Sequence, residues 1–175
     1  MKRLALAVVL ALPALALAQA PAAGVSVQKE KASGAEAEFA STPWRPDIFE
    51  AMETGGTTPQ RAWAFARFST SANFAMDGKV IPVGRYVLVL TPKTGSLPMT
   101  LEVRGGPGRE LFADPNAMTP PEGGEMVYKA PVTFMPSPEP VPALDLTLAG
   151  WSDGVVLTIR YGNRKLTKEL VRTGP

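Results

Sequence analysis

Residues 77–92 read D-G-K-V-I-P-V-G-R-Y-V-L-V-L-T-P. Asp77-Gly78 supplies the positive backbone dihedrals that a two-residue hairpin turn requires. Pro82 and Gly84 bracket a second reversal. Tyr86 to Leu90 is a β-branched and aliphatic run without helical periodicity. The stretch therefore reads as turn, short strand, turn and long apolar strand, and it predicts an all-β domain built around this hairpin.

Upstream of it, period two starts at Arg61. In residues 62–69, strict alternation puts Trp63, Phe65 and Arg67 on one face and Ala64, Ala66 and Phe68 on the other. Phe74 and Met76 then align and lead into the hairpin. Pro46 to Glu53 is the one credible helix. Pro46 suits a first helical position, Asp47 favours the positive end of the dipole, and Ile48, Phe49 and Met52 share a face. Thr54-Gly55-Gly56 ends it. At one or two turns it is expected to plug one end of a sheet.

Downstream, Leu97 to Arg104 alternates through Met99, Leu101 and Val103, and Gly105-Gly106-Pro107-Gly108 breaks the pattern. Arg109 to Ala113 reads as a weak strand, and 114–124 as a loop dense in Pro and Gly. Glu125 to Met135 holds a strand that Pro131 confines to an edge or a bulge. Pro136 to Pro142, with four prolines in seven residues, predicts a stiff extended connector. Leu144, Leu146 and Leu148 mark the next strand. Turns at Ser152-Asp153-Gly154 and Gly162-Asn163 make the last three strands a meander. About nine strands and one short helix predict an antiparallel β-sandwich as a single domain over residues 44–175.

The N-terminus has a different character. Lys2 and Arg3 precede an apolar run from Leu4 to Leu17 and then small residues, the layout of a secretory signal peptide over 1–18. Cleavage is expected after Ala18, with Ala20 as the alternative. Removing residues 1–18 leaves 157 residues carrying 16 basic and 16 acidic side chains. The mature chain is formally neutral, so its charge gives no argument for nucleic acid as a partner. No membrane span is expected once the leader is gone. Residues 19–43, rich in Ala, Ser, Gly and Glu, read as a flexible leader whose Val25-Ser26-Val27 fragment offers an edge strand. The address implied is the periplasm or the cell exterior.

With no His and no Cys in the chain, a Ser-His-Asp triad, a thiolate nucleophile and a zinc site of imidazole or thiolate are excluded. No cofactor is expected. Gly105 to Gly108 lacks the Gly-Lys-Ser/Thr ending of a phosphate-binding loop, and no helix follows it. Asp77-Gly78 and Asp153-Gly154 place single carboxylates in turns, where turn formation explains them more simply than calcium does.

Two sets of candidates remain. Carboxylates at Asp114, Glu122 and Glu125, or Glu50 and Glu53 on the helix, would serve a small hydrolase, although none sits in a recognisable glycosidase pair. Trp44 and Trp151 offer flat amphipathic rings for a sugar or peptide, with Trp63 read as core. For Trp44 the competing reading is a packing contact at the start of the helix, and for Trp151 a cap on the sandwich. The binding candidates are therefore Trp44, Trp151, Asp114 and Glu122. The partners they suit are a carbohydrate, a peptide or an envelope protein, met by loops 105–108 and 114–124. The reading is an exported, non-catalytic binding module. The alternatives are the hydrolase and a structural envelope subunit that self-associates through an edge such as Val25 to Lys29 or Val127 to Phe134.

Two motifs also carry a resemblance. Gly78-Lys79-Val80-Ile81-Pro82-Val83-Gly84-Arg85-Tyr86-Val87-Leu88 and Asp153-Gly154-Val155-Val156-Leu157-Thr158-Ile159-Arg160-Tyr161-Gly162 resemble the hairpins G-K-x-[LI]-P-x-G-x-Y-x-[LV] and D-G-x-x-L-x-[LI]-x-[WY]-G. These belong to a family of exported bacterial domains of unknown function. The likeness covers about residues 61–171 and implies a β-sandwich. That family's W-R-x-G-A-N segment is missing here, Gly-Thr-Thr-Pro-Gln standing in its place.

Overall fold

A computed structural model describes residues 26–56, 61–106 and 124–174. Among these described residues, ten strands form two antiparallel sheets, with one helix. The six-stranded sheet has the order β1 (Val27–Ala32), β2 (Ala35–Ala40), β3 (Trp63–Thr70), β6 (Gly84–Thr91), β7 (Thr100–Gly105), β8 (Met126–Pro131). The four-stranded sheet has the order β5 (Lys79–Ile81), β4 (Phe74–Met76), β10 (Gly154–Arg172), β9 (Met135–Trp151). Helix α1 (Pro46–Thr54) sends Phe49 and Met52 into the shared core. Gly55 ends it with φ +75°. Among the described residues no helix is long and apolar enough to cross a membrane.

The hairpin at Asp77-Gly78 forms as expected, with Asp77 at φ +49° and Gly78 at φ +77° between β4 and β5. The second reversal does something else. β5 belongs to the four-stranded sheet and β6 to the six-stranded one, so Pro82-Val83 is the corner where the chain changes layers. Side chains lock that corner. The Tyr86 hydroxyl donates to the Pro82 carbonyl at 2.7 Å, and Thr70 Oγ1 donates to the same oxygen at 2.9 Å. Asn73 Oδ1 accepts from the Val83 amide at 2.9 Å. A tyrosine bonding the backbone a few residues upstream is the tyrosine corner known from sandwich folds. Gly84 is required because a Cβ there would lie 2.8 Å from the Tyr86 hydroxyl. The P-x-G-x-Y pattern thus encodes a sheet-to-sheet crossing.

β3 departs from simple alternation. Its pairing with β6 skips Phe65, which forms a β-bulge between Ala64 and Ala66. An extra residue shifts the phase of every later side chain. Trp63 and Phe65 face the core before the bulge, and Ala66 and Phe68 face it after, while Arg67 is thrown to the outer face. The expected grouping of Arg67 with Trp63 and Phe65 is therefore corrected.

Residues 27–40, expected within a flexible leader, form the β1–β2 hairpin. Ser33 (φ +46°) and Gly34 (φ +88°) make its turn, and Ala35, Ala37 and Phe39 are fully buried. Apolar burial on alternate residues of β2 is what fixes it in place. β1 is the edge strand of the sheet. The expected weak strand at 109–113 and the loop at 114–123 lie outside the described residues.

A straight run of 19 residues would extend about 60 Å. Yet the Arg172 amide donates to the Asp153 carbonyl at 2.7 Å, so β10 doubles back, and Gly162 (φ +59°) marks the reversal. The expected meander is present in this form. Met135, Pro136 and Val141 pair with β10, so the proline-rich connector is partly drawn into the sheet.

Candidate functional site

The outer face of the six-stranded sheet carries charge in rows across the strands. One row runs Lys29, Glu38, Arg67, Val87, Arg104, and the next holds Lys31, Glu36, Ser69, Arg85. Side chains on one face of a sheet lie ~5 Å apart across strands, close enough for these groups to act together. Between the rows lies an open trough of about 320 Å³, lined by Glu36, Glu38, Arg67, Ser69 and Arg85.

The carboxylates of the trough are already matched. Lys29 Nζ lies 2.6 Å from Glu36 Oε1 and 3.1 Å from Glu38 Oε1, and Arg67 Nη1 lies 3.3 Å from Glu38 Oε2. Burial pushes the Glu38 carboxyl up, but the hydrogen bonds from Lys29 and Arg67 outweigh it and hold the group below its ordinary range. Arg85 is different. It is exposed, and among the described residues its guanidinium has no partner. It stands opposite Ser69 on the neighbouring strand.

Deeper along the same face, Val87 and Val89 are fully buried, and so is Glu102 opposite Val89. Arg104 Nε (2.7 Å), Lys129 Nζ (2.9 Å) and Thr91 Oγ1 (3.0 Å) surround the Glu102 carboxylate. Burial pushes Glu102 up, but these three partners together set it below the usual carboxylate range. A buried carboxylate so fully matched is held as an anion, and it orients Arg104 and Lys129.

The two tryptophan candidates sit elsewhere. Trp44 is half-buried beside α1, edge-on to Tyr161 with ring centroids 4.7 Å apart, and its indole covers Gly162, where a Cβ would clash with the ring. Trp151 is half-buried over Gly154 at the β9–β10 turn. The structure brings neither to the trough nor the two to each other. Asp114 and Glu122 lie outside the described residues, as do the loops 105–108 and 114–124 except for Gly105, Gly106 and Gly124.

A second cavity of about 320 Å³ lies by the end of α1, lined by Glu53, Lys93, Ser96, Met99 and Thr133 among others. Burial raises the Glu53 carboxyl against the pull of Arg164, 3.1 Å away. Among the described residues no second carboxylate lines that cavity, so the pair a glycosidase needs is not assembled there. No group of three potential metal ligands occurs among the described residues.

Compared with protein-family models, curated proteins and solved structures, the chain has no significant match. The trough residues carried little signal in the sequence. Arg67 is displaced by the bulge, and Glu36 and Glu38 sit in a segment whose composition reads as leader. The usable hint was Glu36-Ala37-Glu38-Phe39, a charged and apolar alternation of period two.

Proposed function

We propose that this protein is an exported binding domain that recognises its ligand on the outer face of the six-stranded sheet, at Arg67, Ser69 and Arg85, without transforming it. One observation carries the reading: an exposed arginine without an ionic partner stands over a trough whose carboxylates are neutralised. A free guanidinium on a rigid sheet is preorganised for an incoming acceptor, because it forms the contact without breaking an existing ion pair. Export is supported by the basic and apolar layout of residues 1–18. The tight pairing of Asp77 and Glu102 with cations favours binding over acid-base work, since a proton-transfer group needs a pKa near the working pH.

The test compares the purified protein with Arg85→Glu across immobilised saccharides, peptides and anionic vesicles. The reading expects at least one class to be retained by the unmodified protein and lost by Arg85→Glu, with the ligand recovered unchanged. Retention that ignores Arg85→Glu, or conversion of the ligand, overturns it. For export, deletion of residues 2–18 should leave the protein in the cytoplasm, and appearance outside it without that segment would contradict the assignment.

A further inference from the structure

We infer that the ligand of this trough is an acidic polysaccharide, bound through a sugar-borne oxyanion at Arg85 and through hydroxyl groups at the matched carboxylates. The inference rests on the binding reading above and names the ligand class of the same site.

Charge complementarity comes first. Six cations (Lys29, Lys31, Arg67, Arg85, Arg104, Lys129) stand on this face of the described strands, against the three carboxylates Glu36, Glu38 and Glu102. The excess is positive although the mature chain is neutral, so the cations are concentrated here. The unmatched one, Arg85, borders the trough opposite Ser69, whose hydroxyl supplies a neutral partner beside the guanidinium. A planar guanidinium takes a carboxylate or sulfate oxygen pair through two parallel N–H bonds.

The rest of the trough selects the carrier of that oxyanion. Glu36 and Glu38 keep lone pairs beyond those engaged by Lys29 and Arg67, and a sugar hydroxyl donates to such an oxygen at little electrostatic cost. A polyglutamate chain carries its carboxylates without hydroxyls, so its side chains offer Glu36 and Glu38 no donor. Peptides also anchor through apolar side chains in pockets or by extending a sheet edge. This trough lies on a sheet face and is open, and its side chains are polar apart from Phe68 and Tyr86, which belong to the inner core.

The experiment uses purified protein at low and moderate ionic strength with four polymers: polygalacturonate, dextran sulfate, uncharged dextran and polyglutamate. Polygalacturonate or dextran sulfate should bind, weakening as salt rises, while dextran and polyglutamate should not. Which of the two binds identifies the oxyanion as carboxylate or sulfate. Arg85→Gln should weaken binding about tenfold or more, and Arg85→Lys less, because the charge survives without the fork. Polyglutamate bound through Arg85 overturns the saccharide assignment and leaves the binding reading intact. Acidic saccharide held equally by Arg85→Gln overturns both.

Discussion

At the α1 end, Trp63 of the six-stranded sheet and Tyr161 of the four-stranded sheet meet with ring centroids 5.1 Å apart, and Trp44, Phe49 and Phe134 close around them. At the β5–β8 seam the same two sheets are joined by polar groups. Tyr128 donates its hydroxyl to Asp77 Oδ2 at 2.5 Å, Lys168 Nζ reaches the same oxygen at 2.6 Å, and Lys79 Nζ donates to the Lys129 carbonyl at 2.9 Å. One join works by burying area and has no carboxylate at its centre. The other concentrates its energy in one carboxylate. The difference teaches where the sandwich should open first, and under what conditions. Packed aromatic rings lose little on acidification, whereas a carboxylate with two donors loses its function as an acceptor when it is protonated.

The largest effect should come from breaking the aromatic join. Phe49→Ala removes a ring that is 1% exposed and should cost about 3–5 kcal/mol in chemical denaturation. Gly162→Ala should cost about 2–4 kcal/mol, because a side chain there meets the Trp44 indole and must also hold a left-handed conformation. Tyr128→Phe keeps the ring and removes only the bond to the carboxylate, so about 1.5–3 kcal/mol is expected. The smallest effect belongs to the trough, where Arg85→Gln should change stability by less than about 0.5 kcal/mol while weakening ligand binding about tenfold or more. Equal losses for Phe49→Ala and Tyr128→Phe would erase the distinction between the two joins.

Acid sharpens the same comparison. Lys168 and then Tyr128 hold the Asp77 carboxyl below its ordinary range, while burial, reinforced by Asp77, pushes the Tyr128 hydroxyl far above its own. A carboxyl depressed in the folded state contributes stability above its unfolded value of about 3.9 and loses it as pH falls through the folded value. The contribution is therefore present at pH 7 and fades on acidification below about 4. Asp77 is half-exposed, so solvent screening keeps this modest. In Tyr128→Phe the acid dependence should shrink, and in Phe49→Ala it should persist.

Much of the fold was legible because alternation and turn residues speak for themselves. Tyr86 to Leu90, the Leu144-Leu146-Leu148 stripe and the Pro46 helix start are local signals, and each corresponds to an element of the structure. What local signals cannot show is the layer to which a strand belongs. Lys79 to Ile81 and Gly84 to Thr91 look like two arms of one hairpin, yet the Tyr86–Pro82 bond turns them into different sheets. The bulge at Phe65 was hidden for a related reason, since β3 needs both Phe65 and Phe68 in the core and only an extra residue reconciles them. The trough was the least visible feature. It joins β2, β3 and β6, whose side chains are distant in sequence and converge only through register. Trp44 drew notice as a binding residue by its type, although its ring is engaged in covering Gly162.

The most direct test of the two-join account is amide hydrogen exchange followed residue by residue between pH 7 and pH 3, corrected for the intrinsic pH dependence of exchange. The account predicts that protection in Phe74–Ile81 and Met126–Pro131 falls first, while Phe49, Met52 and Tyr161 keep theirs. Loss of protection at the α1 end before the β5–β8 seam, or at the same pH throughout, would contradict it.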